Sequence, residues 1–292
     1  ALLRQATLLQ RLGWPEEAED RLRQVLRRYP EEREAGALAE LALTARPGAT
    51  PDSVLTGLRD LFKRCAGLPN PASRVLLEVG SAETRAGRSG RALEAFRRIL
   101  VDYPGERESC AEALMRMGSL LARSGDREAS ASSFVSIARG YRDLKGAAVR
   151  ASDSLIVGSV EGLTGAERRA AYRRVIEGWP DLPVIGATAQ WRLAMEVASE
   201  RGPKVGIGEI EPAIAMLRGK TDESSLEVRS RARLDLAGLY VGTGEDERAF
   251  EIYEALSEEA GGPEENLAGE ARRRMAQALL DRGVRLLKRN DR

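Results

Sequence analysis

The chain has 292 residues, with 46 Lys+Arg against 45 Asp+Glu, a net charge of +1 and no histidine. That length buries a substantial core, and the balanced charge argues against a strongly basic nucleic-acid binder or an acidic tail protein. The missing histidine removes Ser-His-Asp triads, Cys-His dyads and histidine metal sites together.

Hydrophobic residues make up 42% of the chain but aromatics only 4%, so the core must rest on Ala, Leu, Val and Ile. The first element is a helix already under way at Ala1, with Leu2, Leu3, Ala6 and Leu9 as an apolar stripe at helical spacing. Gly13-Trp14-Pro15-Glu16-Glu17-Ala18 opens a second helix carrying Leu22 and Val25, and Tyr29-Pro30 closes it. The longest apolar stretch, Ala35 to Ala45, carries Glu40 and is too short for a membrane span. Leu55, Leu58, Arg59 and Phe62 share the next helix.

The pattern then returns. Ala92, Phe96, Ile99 and Tyr103-Pro104 repeat the spacing of Ala18, Leu22, Val25 and Tyr29-Pro30, as do Arg168, Tyr172, Val175 and Trp179-Pro180. The anchors Ala18, Ala92 and Arg168 are 74 and 76 residues apart, two units of about 37 or 38 each. Ser130, Phe134, Ile137 and Tyr141 fall halfway, and Ala249, Tyr253 and Leu256 continue the series. A further unit is expected near Ile210–Leu217, with Gly202-Pro203 and Gly206-Ile207-Gly208 marking a longer loop. Each unit also has an upstream helix with a small residue on its apolar face, Gly80, Gly118 or Ala237, where a partner helix can approach closely. Turns such as Arg123-Ser124-Gly125-Asp126 separate the two halves, and proline ends the second.

This arrangement resembles the tetratricopeptide repeat, most completely over residues 70–142, with a unit somewhat longer than the family's usual 34. The closing Tyr-Pro and wide loops are similar to the subclass found in bacterial envelope proteins, such as the lipoprotein of the barrel-assembly machine and the coordinator of the Tol–Pal system. Arg168 in place of a small anchor, and the weak spacing over 47–70 and 182–222, depart from the pattern. The resemblance implies an all-α fold: one right-handed superhelical solenoid of about seven helix–turn–helix hairpins over 1–292, looser and loop-containing over about 182–222. It implies a non-enzymatic scaffold for protein partners, without cofactor or membrane span, periplasmic or extracellular before cytoplasmic. By the family's positions, the concave binding face is Arg74, Leu77, Glu112, Met115, Ser119, Arg150, Asp153, Trp191, Arg231 and Leu234. Trp191 reads either as an exposed binding anchor or as core. The mixed set lacks the Lys/Arg-Asn clamp of chaperone-binding members.

Other motifs read as structure. Gly219-Lys220-Thr221 ends like a phosphate-binding loop, but Ile214 stands where that loop needs glycine. Cys65 and Cys110 read as two free buried thiols, with a single bridge as the alternative. Glu16-Glu17 and Glu258-Glu259 belong at helix ends or on outer faces. Residues 271–292 carry eight cations, Arg272, Arg273, Arg274, Arg282, Arg285, Lys288, Arg289 and Arg292, against Asp281 and Asp291. They read as a solvated helix face, or as a contact for acidic lipid, nucleic acid or an acidic partner. No aromatics interleave with them, so nucleic acid is not expected.

The chain begins with Ala1 rather than Met, which reads as processing or truncation, so the missing signal sequence does not argue for cytoplasm. Neither end reads as a polar cap. Counting forward by one repeat places Met275, Leu279 and Leu280 in a first helix, Gly283 in its turn and Val284–Leu287 in a second. Leu2, Leu3, Ala6 and Leu9 at one end, and Met275, Leu279, Leu286 and Leu287 at the other, are then expected to meet a neighbouring copy or further repeats. The rival functions are therefore a subunit assembling head-to-tail into a fibre or ring, and an adaptor segment of a larger protein.

Overall fold

The computed structural model describes residues 1–45, 50–65, 67–144, 146–258 and 265–290. Fifteen α-helices and no strand occur among them, the all-α helical repeat of solenoid type that the spacing predicts. The helices fall into two compact units, Ala1–Gly125 and Asp126–Arg292.

The first unit contains α1 (Leu2–Arg11), α2 (Pro15–Arg28), α3 (Arg33–Thr44), α4 (Pro51–Cys65), α5 (Pro69–Arg85), α6 (Ser89–Asp102) and α7 (Arg107–Arg123). Odd-numbered helices are the first helices of hairpins. Each even one packs on its own partner and on the next first helix: α2 on α1 and α3, α4 on α3 and α5, α6 on α5 and α7. Pro15 and Pro69 stand at helix starts, where a missing N–H costs nothing and the fixed φ favours the helix. Tyr29 and Tyr103 are C-caps that leave the helical conformation, each followed by a proline that stops the helix. Gly80 explains itself. A Cβ there would lie 2.3 Å from the Phe96 ring, so α5 and α6 meet only because that side chain is absent.

The second unit contains α8 (Arg127–Gly140), α9 (Ala147–Val160), α10 (Gly165–Gly178), α11 (Pro183–Arg201), α12 (Pro203–Met216), α13 (Glu223–Thr243), α14 (Asp246–Glu258) and α15 (Glu265–Asn290). One core of this unit gathers Trp191, Ile210, Leu234, Tyr240, Tyr253 and Leu256. The longer loop expected at Gly202–Gly208 is not there. Gly202 alone separates α11 from α12, and Gly206-Ile207-Gly208 is helical. A Cβ at Gly206 would fall 2.4 Å from the Ala198 Cβ. Gly206 therefore serves close helix contact, which outweighs the roughly 1 kcal/mol that a glycine costs a helix.

The C-terminal turn is also corrected. Gly283 lies inside α15, which runs unbroken through Val284–Leu287. No proline accompanies Gly283. On either side of it, Arg282 and Arg285 are held by Glu247 and Asp246 in the first turn of α14, at 2.8 and 2.7 Å. A lone glycine does not break a helix tethered on both sides.

Cys65 and Cys110 are free and buried, and the Cys110 thiol donates to the Tyr103 carbonyl at 3.4 Å. Gly219-Lys220-Thr221 forms the turn between α12 and α13, with Gly219 at φ +74°. Glu259, Asp291, Arg292 and the side chains of Lys288 and Arg289 lie outside the described residues. Among those residues, no helix is long and apolar enough to cross a membrane, and no group of His, Cys, Asp or Glu is placed to hold a metal ion.

Candidate functional site

First helices carry the expected concave residues, and in both units much of that face is tied up within the chain. In the first unit Arg116, on α7, donates to the Glu112 carboxylate at 2.8 Å, to the Leu77 carbonyl at 3.3 Å and to the Ser81 hydroxyl. Glu78 stands 3.6 Å from the same guanidinium. Ser119 turns its hydroxyl back to the Met115 carbonyl at 2.9 Å. Leu77 is buried.

In the second unit Arg192 on α11 reaches Asp153 on α9 at 2.8 Å. Its guanidinium lies 5.1 Å from the Trp191 ring centroid, a cation–π distance. The Trp191 indole N–H donates to Asp235 on α13 at 3.0 Å, and Arg274 on α15 donates to the other Asp235 oxygen at 2.9 Å. Arg231 pairs with Glu227 at 2.7 Å, and Leu234 is buried. Trp191 is 8% exposed and belongs to the core, so it is not an exposed anchor. Of the ten concave residues, Arg74 and Arg150 are classed as exposed.

Three of these links, Arg116 to Leu77, Arg192 to Asp153 and Arg274 to Asp235, span 39 residues, about one repeat. Arg285 to Asp246 spans 39 as well. In the pairs of Arg192 with Asp153, Arg274 with Asp235 and Arg285 with Asp246, an acidic residue followed one repeat later by Arg was a readable signal that apolar periodicity does not contain. It ties α9 to α11, α13 to α15 and α14 to α15. Arg274 and then Arg273 also donate to Glu270, holding its carboxyl below the usual carboxylate range. Burial pushes the Tyr253 phenol up, with nearby Arg274 opposing.

The basic C-terminal stretch is largely consumed in the same way. Arg272 donates to the Ser257 carbonyl at 2.9 Å, and Arg273, Arg274, Arg282 and Arg285 pair with carboxylates.

One part of the first-helix face stays open. Between α1, α3 and α5 lies a cleft of about 660 Å³, within the size range of ligand sites. Leu3, Ala6, Leu22, Leu38, Leu41 and Ala42 form its apolar wall, with Gln10, Glu19, Arg74 and Glu78 among its polar residues. Ala6, fully buried, is a small side chain of this wall. Glu19 is bound to Arg23, and Glu78 faces Arg116. Arg74 is exposed and has no acidic partner among the described residues.

The expected end contacts are redistributed. Ala6 is buried, while Leu2 and Leu3 pack against the core of α2 and α3 and Leu9 is half-buried. The stripe serves its own hairpin because α2 and α3 already cover it. Leu8, Leu12 and Trp14 are the residues left exposed. Met275 packs inward, but Leu279, Leu286 and Leu287 are exposed, together with Leu280 and Val284.

Stacked hairpins and an apolar cleft on the first helices define a helical-repeat protein. Residues 1–32 match the tetratricopeptide repeat family, which supports membership of that family. The match covers α1, α2 and the Tyr29-Pro30 closure, where the spacing is less complete than over 70–142. A comparison with curated proteins gave no match. The all-α tetratricopeptide fold is typically a non-enzymatic module that mediates protein–protein interaction.

Proposed function

We propose that the chain is a non-enzymatic scaffold of tetratricopeptide type that takes a protein segment in the α1–α3–α5 cleft. One observation carries this reading. Much of the first-helix face elsewhere is closed by the chain's own ion pairs, whereas here Leu3, Leu38 and Ala42 line an open cleft beside Arg74, which has no acidic partner among the described residues. A helix or extended segment with apolar anchors would fit such a surface. A displayed random-peptide library selected on the whole chain tests it. Sequences with apolar anchors should be enriched and should lose binding to the Leu38→Glu variant. Failure to enrich, or binding indifferent to Leu38→Glu, would reject the cleft.

Head-to-tail self-association is a second reading. Among the described residues, eight of the twelve exposed large hydrophobics lie in two short segments, Leu8, Leu12 and Trp14, and Leu279, Leu280, Val284, Leu286 and Leu287. We also propose a place in the bacterial envelope. It rests on the closing Tyr29-Pro30, Tyr103-Pro104 and Trp179-Pro180 pairs, and fractionation of the source cells tests it.

A further inference from the structure

The second half of α15 is amphipathic in an unusual sense. Its inward side is anchored by Arg274, Arg282 and Arg285 to Asp235, Glu247 and Asp246. Its outward side carries Leu280, Val284 and Leu287 at i, i+4 and i+7, with Leu279 and Leu286 alongside. These five side chains are 47–67% exposed. Three such contacts at helical spacing are the anchor pattern by which a helix lies in an apolar groove. Covering exposed leucines in this number favours such a contact.

We infer that the occupant of the α1–α3–α5 cleft is the outer stripe of α15 from a second copy of the chain. This rests on the reading of the cleft as a docking site for a protein segment. Apolar surface matches apolar surface, and charge selects the register. Arg74 lines the cleft without an acidic partner among the described residues. Asp281 borders the stripe, between Leu280 and Val284, and bonds to the Gln277 amide at 2.9 Å, with no cationic partner among the described residues. Seating the stripe in the cleft brings this unpaired cation and this unpaired carboxylate to one edge. Cleft and stripe are different surfaces, so the contact is not self-complementary. A joined pair keeps one free cleft and one free stripe, and growth continues until a ring closes or a filament forms.

Sedimentation of the full chain from about 5 to 500 µM tests this. The expected result is a mass rising above the 31.8 kDa of one chain. Leu38→Glu in the cleft and Leu287→Glu on the stripe should each return it to monomer. Arg74→Glu and Asp281→Arg should each weaken association about tenfold, and their combination should restore most of it. Arg74 and Asp281 are both exposed, so the charge-reversal series stays readable even if Leu38→Glu disturbs folding. Mixing Arg74→Cys chains with Asp281→Cys chains should give a disulfide-linked dimer that neither variant forms alone. A monomer across the whole range overturns the inference, as does assembly indifferent to both Leu38→Glu and Leu287→Glu. So does a dilute Arg74→Cys/Asp281→Cys double variant that closes its own disulfide within one chain. Should library peptides bind the cleft while the chain stays monomeric, the docking reading stands and this occupant falls.

Discussion

The α11–α13 region and the α1–α3 region use the same helical hairpin and reach opposite results on the first-helix face. Around Trp191 the face is full. The indole fills the core, its N–H is taken by Asp235, and Arg192 and Arg274 extend the bonding to α9 and α15. At the matching place on α3 stands the smaller Leu41, and a cleft of about 660 Å³ opens between leucine walls. Backbone geometry sets where a groove can be. Side-chain volume and the supply of opposite charges decide whether it remains one.

The contrast can be broken most severely at Trp191. Trp191→Ala removes a buried aromatic and leaves Asp235 with one donor fewer, and should cost about 4 kcal/mol in urea unfolding of the second unit. A loss below about 1 kcal/mol would mean that the ring is not a core element. Next is the glycine contact beside it. Gly206→Val drives a branched side chain into Ala198, where even a Cβ lies at 2.4 Å. About 3 kcal/mol of destabilisation is expected in the same experiment, and Gly208→Ala, with open space at its Cβ, serves as the mild control.

The contrast sharpens from the other side with Ala42→Leu, which places bulk in the cleft. It should leave stability unchanged or raise it by about 1 kcal/mol while abolishing capture of the library peptides. Retained capture with a filled cleft would point to another surface.

The smallest effect is electrostatic. Glu270 is held below the ordinary carboxylate range by Arg274 and Arg273. Its stabilising contribution is therefore fully present above the unfolded value of about 4.3 and is lost as pH falls through the lower folded value. Amide exchange in α15 should rise on that acid side, modestly because the pair is exposed and solvent-screened. Glu270→Gln should flatten the dependence.

Much of the fold was legible because stacking hairpins demands repetition. Ala18, Ala92 and Ala249 are each fully buried anchors, and the apolar positions that follow them recur at helical spacing. Gly80 could be read as a packing residue for the same reason. The candidate site was legible only in outline. First-helix positions such as Leu77 and Leu234 are groove-facing by family habit, yet neighbouring helices bury both, and Trp191, legible either way, falls to the core. Arg74 alone of the ten lines the open cleft, and the leucine walls from α1 and α3 were not anticipated as groove.

The sequence by itself determined the all-α class, the repeat near 38 residues and the helix ends at Tyr29-Pro30, Tyr103-Pro104 and Trp179-Pro180. Those are local consequences of periodicity and of proline's missing N–H. Tertiary structure decided that Gly206 sits in a tight helix contact and that Gly283 continues a helix. It also decided that the basic stretch after Ala271 is consumed by Asp235, Glu247, Asp246 and their neighbours. Each of those outcomes turns on a partner tens of residues away. A glycine or an arginine takes its meaning from what the next repeat places opposite it.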